Sequence, residues 1–280
     1  MLRLSRPIHT FEQSIDDCGA GIADHMPLKA KLSNGKLEMI AAGAQYSAAA
    51  LAGNLSAIAP FHGTSQEVVI AGMTKGELVR VYDQYFVPEE KVARRVYDAL
   101  MNSARERCPF CGGIGTPRNL DHFLPKAFFP QFSVLPINLV PACRDCNMDA
   151  KGHAIAATAE EQPIQPYLDD EKFFNEQWVF ATYHAGKAGE IGQIEYFAFP
   201  PEHWSSVEKS KACRHFENFD LAKRYSIKAA EHLSMVFSQM ERMRSRGLGQ
   251  ADVRHVLLEP GVDRAPFINH WQRGLYQALM

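Results

Sequence analysis

Apolar spacing divides the chain into stretches with different expected structures. Met39 to Pro60, MIAAGAQYSAAALAGNLSAIAP, is about as long as a membrane span. It is built from Ala and Gly rather than Leu and Ile, however, and Gln45 and Asn54 interrupt it. Polar groups are costly in hydrocarbon, so the expectation is a buried, closely packed helix of a soluble domain. The Ser33-Asn34-Gly35 turn and Pro60 bound it. Thr74-Lys75-Gly76-Glu77 has capping-box spacing, in which hydroxyl and carboxylate satisfy each other's backbone N–H, and predicts a helix to about Phe86. Pro88-Glu89-Glu90 resembles a helix first turn. Val92, Val96 and Leu100 then recur at fourfold spacing, which predicts a helix leading to Cys108. Its polar side would carry Lys91, Arg94, Arg95, Arg105 and Arg107, either as a solvated face or as a surface for nucleic-acid phosphates.

Later in the chain, Gln162-Pro163-Ile164-Gln165-Pro166 has the composition of a linker, and a short helix is expected over Asp169 to Gln177. Val179–Tyr183 and Ile194–Phe199 alternate as strands, with a Gly-containing turn at 186–189 between them, which predicts a hairpin. The remainder reads as helices: Ser205 to Phe216, Asp220 to Arg246, Gln250 to Leu258 and Pro266 to Met280. Within the long one, apolar positions include Leu221, Tyr225, Leu233, Phe237 and Met240.

The chemistry is concentrated between Cys108 and His153. Cys108/Cys111 and Cys143/Cys146 are two Cys-x-x-Cys pairs, each a tight turn whose thiolates can meet one ion. Together they complete a tetrahedral four-sulfur shell, for which Zn²⁺ in a structural role is the expected occupant. Asp121-His122 lies between the pairs, in an extended segment that ends at Pro125. Asn147 directly follows the last cysteine. Asp121 and Asn147 supply two oxygen ligands for a hard cation, Mg²⁺ or Mn²⁺, and His122 supplies a base beside it. That set suits phosphodiester hydrolysis. Neighbours on a strand point to opposite faces, so a bend or bulge is expected to bring Asp121 and His122 to one site. Taken singly, the residues have plainer readings, with Asp121-His122 a hydrogen-bonded pair, Asn147 a helix cap and Asn138 a turn residue.

This stretch resembles an HNH nuclease motif of the ββα-metal type with zinc-knuckle support. His122 preceded by Asp121 matches the first letter, Asn138 the second and Asn147 the third, where Asn stands in place of His. The resemblance implies that His122 is the general base, that Asp121 and Asn147 hold the metal, and that Asn138 braces the loop carrying His122 by hydrogen bonding. Lys126 and Lys151 are candidates to hold a phosphate, and His153 to be an extra ligand.

Composition narrows the setting. The chain has 280 residues, is 46% hydrophobic and 22% charged, and carries a net charge of −2, which is ordinary for a soluble globular protein and unlike a generally basic nucleic-acid binder. Cys18 and Cys213 stand apart from the two pairs, so a reducing cytoplasm fits better than a disulfide framework. Residues 1–13 lack the apolar run of a signal peptide. The expected fold is α+β and mostly α-helical: N-terminal helices over 1–87, the HNH module over 88–160, and a hairpin with helices over 161–280. The expected function is metal-dependent cleavage of DNA, with RNA left open, as an effector nuclease of bacterial anti-phage defence. One site cuts one strand per encounter, so a homodimer or a recognition partner is expected. Three alternatives are a zinc-stapled binding module without cleavage, a partner-dependent subunit, and a thiol oxidoreductase. The last is disfavoured because both cysteine pairs are better explained as ligands.

Overall fold

The structure, a computed structural model, describes residues 1–150, 155–187 and 192–280. Lys151 and His153 lie outside the described residues. The fold is α+β, about half helical with small sheets. Helices α1 (Phe11–Ala20), α2 (Pro27–Asn34) and α3 (Lys36–Leu51) precede a short ribbon of β1 (Val68–Ile70) and β2 (Met73–Thr74). Helix α4 (Lys75–Arg80) passes directly into a π-type segment, Val81–Phe86, and α5 (Arg94–Ser103) follows. Strands β3 (Asn119–His122) and β4 (Leu139–Ala142) form a second antiparallel ribbon, and a helical segment, Asp145–Ala150, comes next. Beyond it are α6 (Lys172–Asn175), the hairpin β5 (Val179–His184) and β6 (Gln193–Ala198), and helices α7 (Ser206–Asn218) and α8 (Leu221–Ser245). The chain closes with α9 (Gln250–Val253), α10 (Glu259–Asp263) and α11 (Trp271–Ala278).

Local chemistry explains most of these elements. The Thr74–Glu77 capping box forms as its spacing predicts: Glu77 N–H donates to Thr74 Oγ1 at 3.2 Å and Thr74 N–H to Glu77 Oε2 at 2.9 Å. Ser205 and Glu208 make the same box at the start of α7. Helix α8 buries Leu221, Tyr225, Ala229, Leu233, Val236 and Met240, one stripe at three- and four-residue spacing that packs against β6. One buried cluster draws side chains from Met1 to Leu275, so the three stretches expected from the sequence share a core.

The structure departs from the sequence expectations in several places. Helix α3 is not a fully buried helix. It buries one stripe, Met39, Gly43, Tyr46 and Ala50, and leaves Leu37 and Leu51 exposed. Gly43 is needed on that stripe, since a Cβ there would lie 2.6 Å from the Phe11 ring. Among the described residues, no helix is long and apolar enough to cross a membrane. The helix expected from Pro88 begins only at Arg94, because residues 88–93 make successive turns: Lys91 N–H bonds to the Pro88 carbonyl and Arg94 N–H to the Lys91 carbonyl. Finally, 162–166 is no exposed linker. Gln162, Ile164 and Gln165 are buried, with Gln165 Nε2 donating to the Ile137 carbonyl at 2.7 Å.

Candidate metal centre and hydrolytic cleft

The four sulfur atoms of Cys108, Cys111, Cys143 and Cys146 all lie within 4.8 Å of one another, and all four residues are buried. Cys111 Sγ and Cys143 Sγ are 3.9 Å apart. A Zn–S bond of about 2.3 Å sets a tetrahedral edge of about 3.8 Å, whereas a disulfide would need about 2.05 Å. The cluster therefore has the spacing of ligands around a metal such as zinc. The first knuckle turns on Gly112 and Gly113, whose φ of +65° and +85° a side chain would strain. Gly115 closes against the other pair: a Cβ there would lie 2.5 Å from Cys143 Sγ, and its N–H donates to Cys111 Sγ at 3.4 Å.

Arg224 on α8 supplies the counter-charge. Its Nη1 donates to Cys146 Sγ at 3.2 Å, and its Nη2 reaches Cys143 Sγ at 3.7 Å and Asp145 Oδ2 at 3.3 Å. Burial alone would lower the guanidinium pKa, but the attraction of Cys111 and Cys146 outweighs it and the pKa rises. Four thiolates around a divalent ion carry a net double negative charge. A partly buried cation beside them lowers the cost of keeping that charge in the protein. Nothing near position 224 marks this role in the sequence.

The β3–β4 ribbon rises from this centre. Its register runs unbroken, Asn119↔Ala142, Leu120↔Pro141, Asp121↔Val140 and His122↔Leu139, so the expected bulge is absent. Asp121 and His122 nonetheless border one cavity of about 370 Å³, together with Asn147, Lys126, Tyr82 and Asp83. Asn119 and Leu120 line the same cavity, so it runs along β3 from its first residue to its last. Asn147 sits inside the helical segment that begins at Asp145, with its N–H on the Cys143 carbonyl at 3.0 Å, so it does not cap that segment.

Hydrogen bonds fix the His122 ring. His122 Nε2 lies 2.9 Å from the Ser133 carbonyl, which places the ring proton on Nε2 and makes Nδ1 the basic nitrogen. Ser133 in turn donates its hydroxyl to the Leu78 carbonyl at 3.0 Å, tying this loop to α4. Asn138 is fully buried and clamps the same loop. Its Oδ1 accepts from Leu124 N at 2.7 Å, while its Nδ2 donates to the carbonyls of Leu124 (3.1 Å) and Phe132 (3.2 Å). Tyr82 packs edge-on against the imidazole with centroids 4.5 Å apart, and burial raises its hydroxyl pKa, so it stays protonated. Lys126 Nζ pairs with Asp83 Oδ1 at 2.5 Å and lies 4.7 Å from the Tyr82 ring centre. Asp83 and Tyr82 carry no motif, and no signal in the sequence singles them out. Among the described residues, the cysteine cluster is the one group of three or more His, Cys, Asp or Glu side chains close enough to hold an ion.

The expected arginine face is partly spent on the fold. Arg95 makes a two-pronged pair with Asp17 at 2.6 and 2.7 Å, and Arg94 pairs with Asp98 at 2.7 Å while donating to the Val87 carbonyl. These two guanidiniums hold α5 to α1 and to the preceding turn.

No family model matches the chain, and no solved structure matches it. Over 222 residues it is 39% identical to protein ea31 of Escherichia phage lambda, a match covering 76% of this chain and 74% of that protein. The chain belongs to the ea31 family.

Proposed function

We propose that this ea31-family chain is a metal-dependent endonuclease of the HNH type that hydrolyses DNA phosphodiester bonds. One observation carries the reading: Asp121, His122 and Asn147 border a single cleft beside the buried cysteine cluster. In this reading the cysteines hold a structural zinc. The carboxylate of Asp121 and the amide oxygen of Asn147 are hard donors suited to Mg²⁺ or Mn²⁺, which when bound would stabilise charge on the phosphate and the leaving oxygen. His122, its Nε2–H held by the Ser133 carbonyl, takes a proton from water at Nδ1. Asn138 keeps the loop and the ring in place, and Lys126 borders the cleft with its charge shared with Asp83. A relative in phage lambda draws the setting towards encounters between phage and host, in which a DNA-cutting enzyme serves either side.

The test is nicking of supercoiled plasmid with Mg²⁺ or Mn²⁺, alongside zinc content. His122→Ala should lose about 10²–10⁴ in rate, as loss of a general base does, with zinc content and folding unchanged. Wild-type cleavage by that variant would remove His122 from the chemistry.

A further inference from the structure

A second cavity, of about 300 Å³, lies on the other side of the segment that carries the base. His122 and Lys126 border the hydrolytic cleft, whereas Phe123, Leu124 and Pro125 between them border this second cavity. The two cavities are thus lined by successive residues of one segment, which Asn138 pins at Leu124.

The lining has a particular chemistry. Phe123, Leu124, Phe129 and Leu55 are all buried and make apolar walls, two of them aromatic. Gln162 is 2% exposed and lines the cavity. Its Oε1 accepts from Leu55 N–H at 3.1 Å, which fixes the orientation of the amide. With Oε1 so engaged, the NH₂ is the end of the amide left to donate to whatever enters the cavity that Gln162 borders. Arg214 lies at the rim, its guanidinium 3.3 Å from Glu217 and nearly half exposed.

We infer that this cavity takes one unstacked base of the DNA strand being cut, from the nucleotide next to the scissile phosphate. The inference rests on the nuclease reading above and adds a specificity pocket to it. Aromatic walls suit a planar heterocycle, and a fixed amide donor suits the ring nitrogens and carbonyl oxygens on its edge. The volume, at the small end of ligand pockets, suits one base rather than a stacked pair. Arg214 is placed for the phosphate that follows. Such a pocket admits a base only from an unpaired or locally opened strand, because a stacked and paired base cannot enter it.

Binding of fluorescein-labelled single-stranded DNA to the His122→Ala protein provides the test, with one abasic position moved along the strand. One position, adjacent to the bond that wild-type protein cuts, should weaken binding roughly tenfold when its base is removed. Gln162→Glu keeps an acceptor for Leu55 N–H and removes the donor, and Ser56→Trp fills the cavity from its rim. Both should erase the difference between abasic and intact strands while retaining salt-dependent binding. A flat abasic profile with DNA that wild-type protein does cut would overturn the pocket and leave the nuclease standing. Stabilisation by free deoxynucleotides together with a flat profile would likewise overturn it, showing a free nucleotide site. Absence of any cleavage by wild-type protein would instead bring down the nuclease reading beneath it.

Discussion

Asn138→Ala isolates the clamp that holds the loop following His122. The substitution removes three side-chain hydrogen bonds, those to Leu124 N, Leu124 O and Phe132 O, at a site with no exposure. Each is worth about 1 kcal/mol net, and groups left buried without partners cost about 1–3 kcal/mol each. Partial relaxation and water entry reduce the sum, giving an expected destabilisation of about 3–5 kcal/mol. In a chain of this size about 1 kcal/mol shifts the melting temperature by about 2–4 °C, so a fall of about 6–20 °C is expected. Ser133→Ala provides the scale. It removes only the bond to the Leu78 carbonyl, so it should cost about 1 kcal/mol and a few degrees. Urea melts at 25 °C together with calorimetry measure both. Plasmid nicking below the melting range should also fall, by roughly 10² if the ring moves by about 1 Å. An Asn138→Ala protein within 1 kcal/mol of wild type, or no less stable than Ser133→Ala, would refute the reasoning from the three bonds.

Three further outcomes follow from the same geometry. Cys143→Ser should lose the bound metal and much of the soluble fold, read by metal content and circular dichroism, since such sites contribute folding free energy directly. Arg224→Met should keep the fold but weaken metal retention about 10–100-fold in a chelator competition, the usual effect of losing a partner of the ligands. His270 has its pKa lowered to about 3 by burial, with the chain's N-terminal amine and Arg107 adding to the shift. Its folded pKa lies below the unfolded value, so its contribution is present above about pH 6.5 and lost as pH falls from there towards 3. Stability should drop by up to about 1.4 kcal/mol per pH unit in that window, and His270→Asn, which can still cap α11, should flatten the slope.

The sequence carried the parts of the fold governed by neighbours in the chain. The Thr74–Glu77 box, the β5–β6 hairpin and the span of α8 are set within a few residues, and the two cysteine pairs announce their cluster by spacing alone. What it did not carry is settled at long range. Gln162 and Gln165 have the composition of a linker, yet each finds a partner in another stretch, Leu55 and Ile137, and so can be buried. Arg95 belongs to a basic face in the sequence, and only the fold brings Asp17, 78 residues away, to its guanidinium. Within the cleft, Asp121, His122 and Asn147 were legible because motif chemistry marks them. Asp83, Tyr82 and Arg224 were not, because their role comes only from where helices dock. The bulge expected at Asp121-His122 is absent: the register is unbroken, and the cavity runs along the whole of β3 and is bordered by both residues without one.

The docking of Arg224 onto the thiolates sets an order of events during synthesis. Arg224 follows Cys146 by 78 residues, and a ribosome adding about 5–20 residues per second takes roughly 4–16 s to cover that length. All four sulfurs are thus available to capture a metal well before the cation that balances them has been made. During that interval the thiolates lack their guanidinium, and α8, once made, brings that charge together with the apolar stripe it packs against β6.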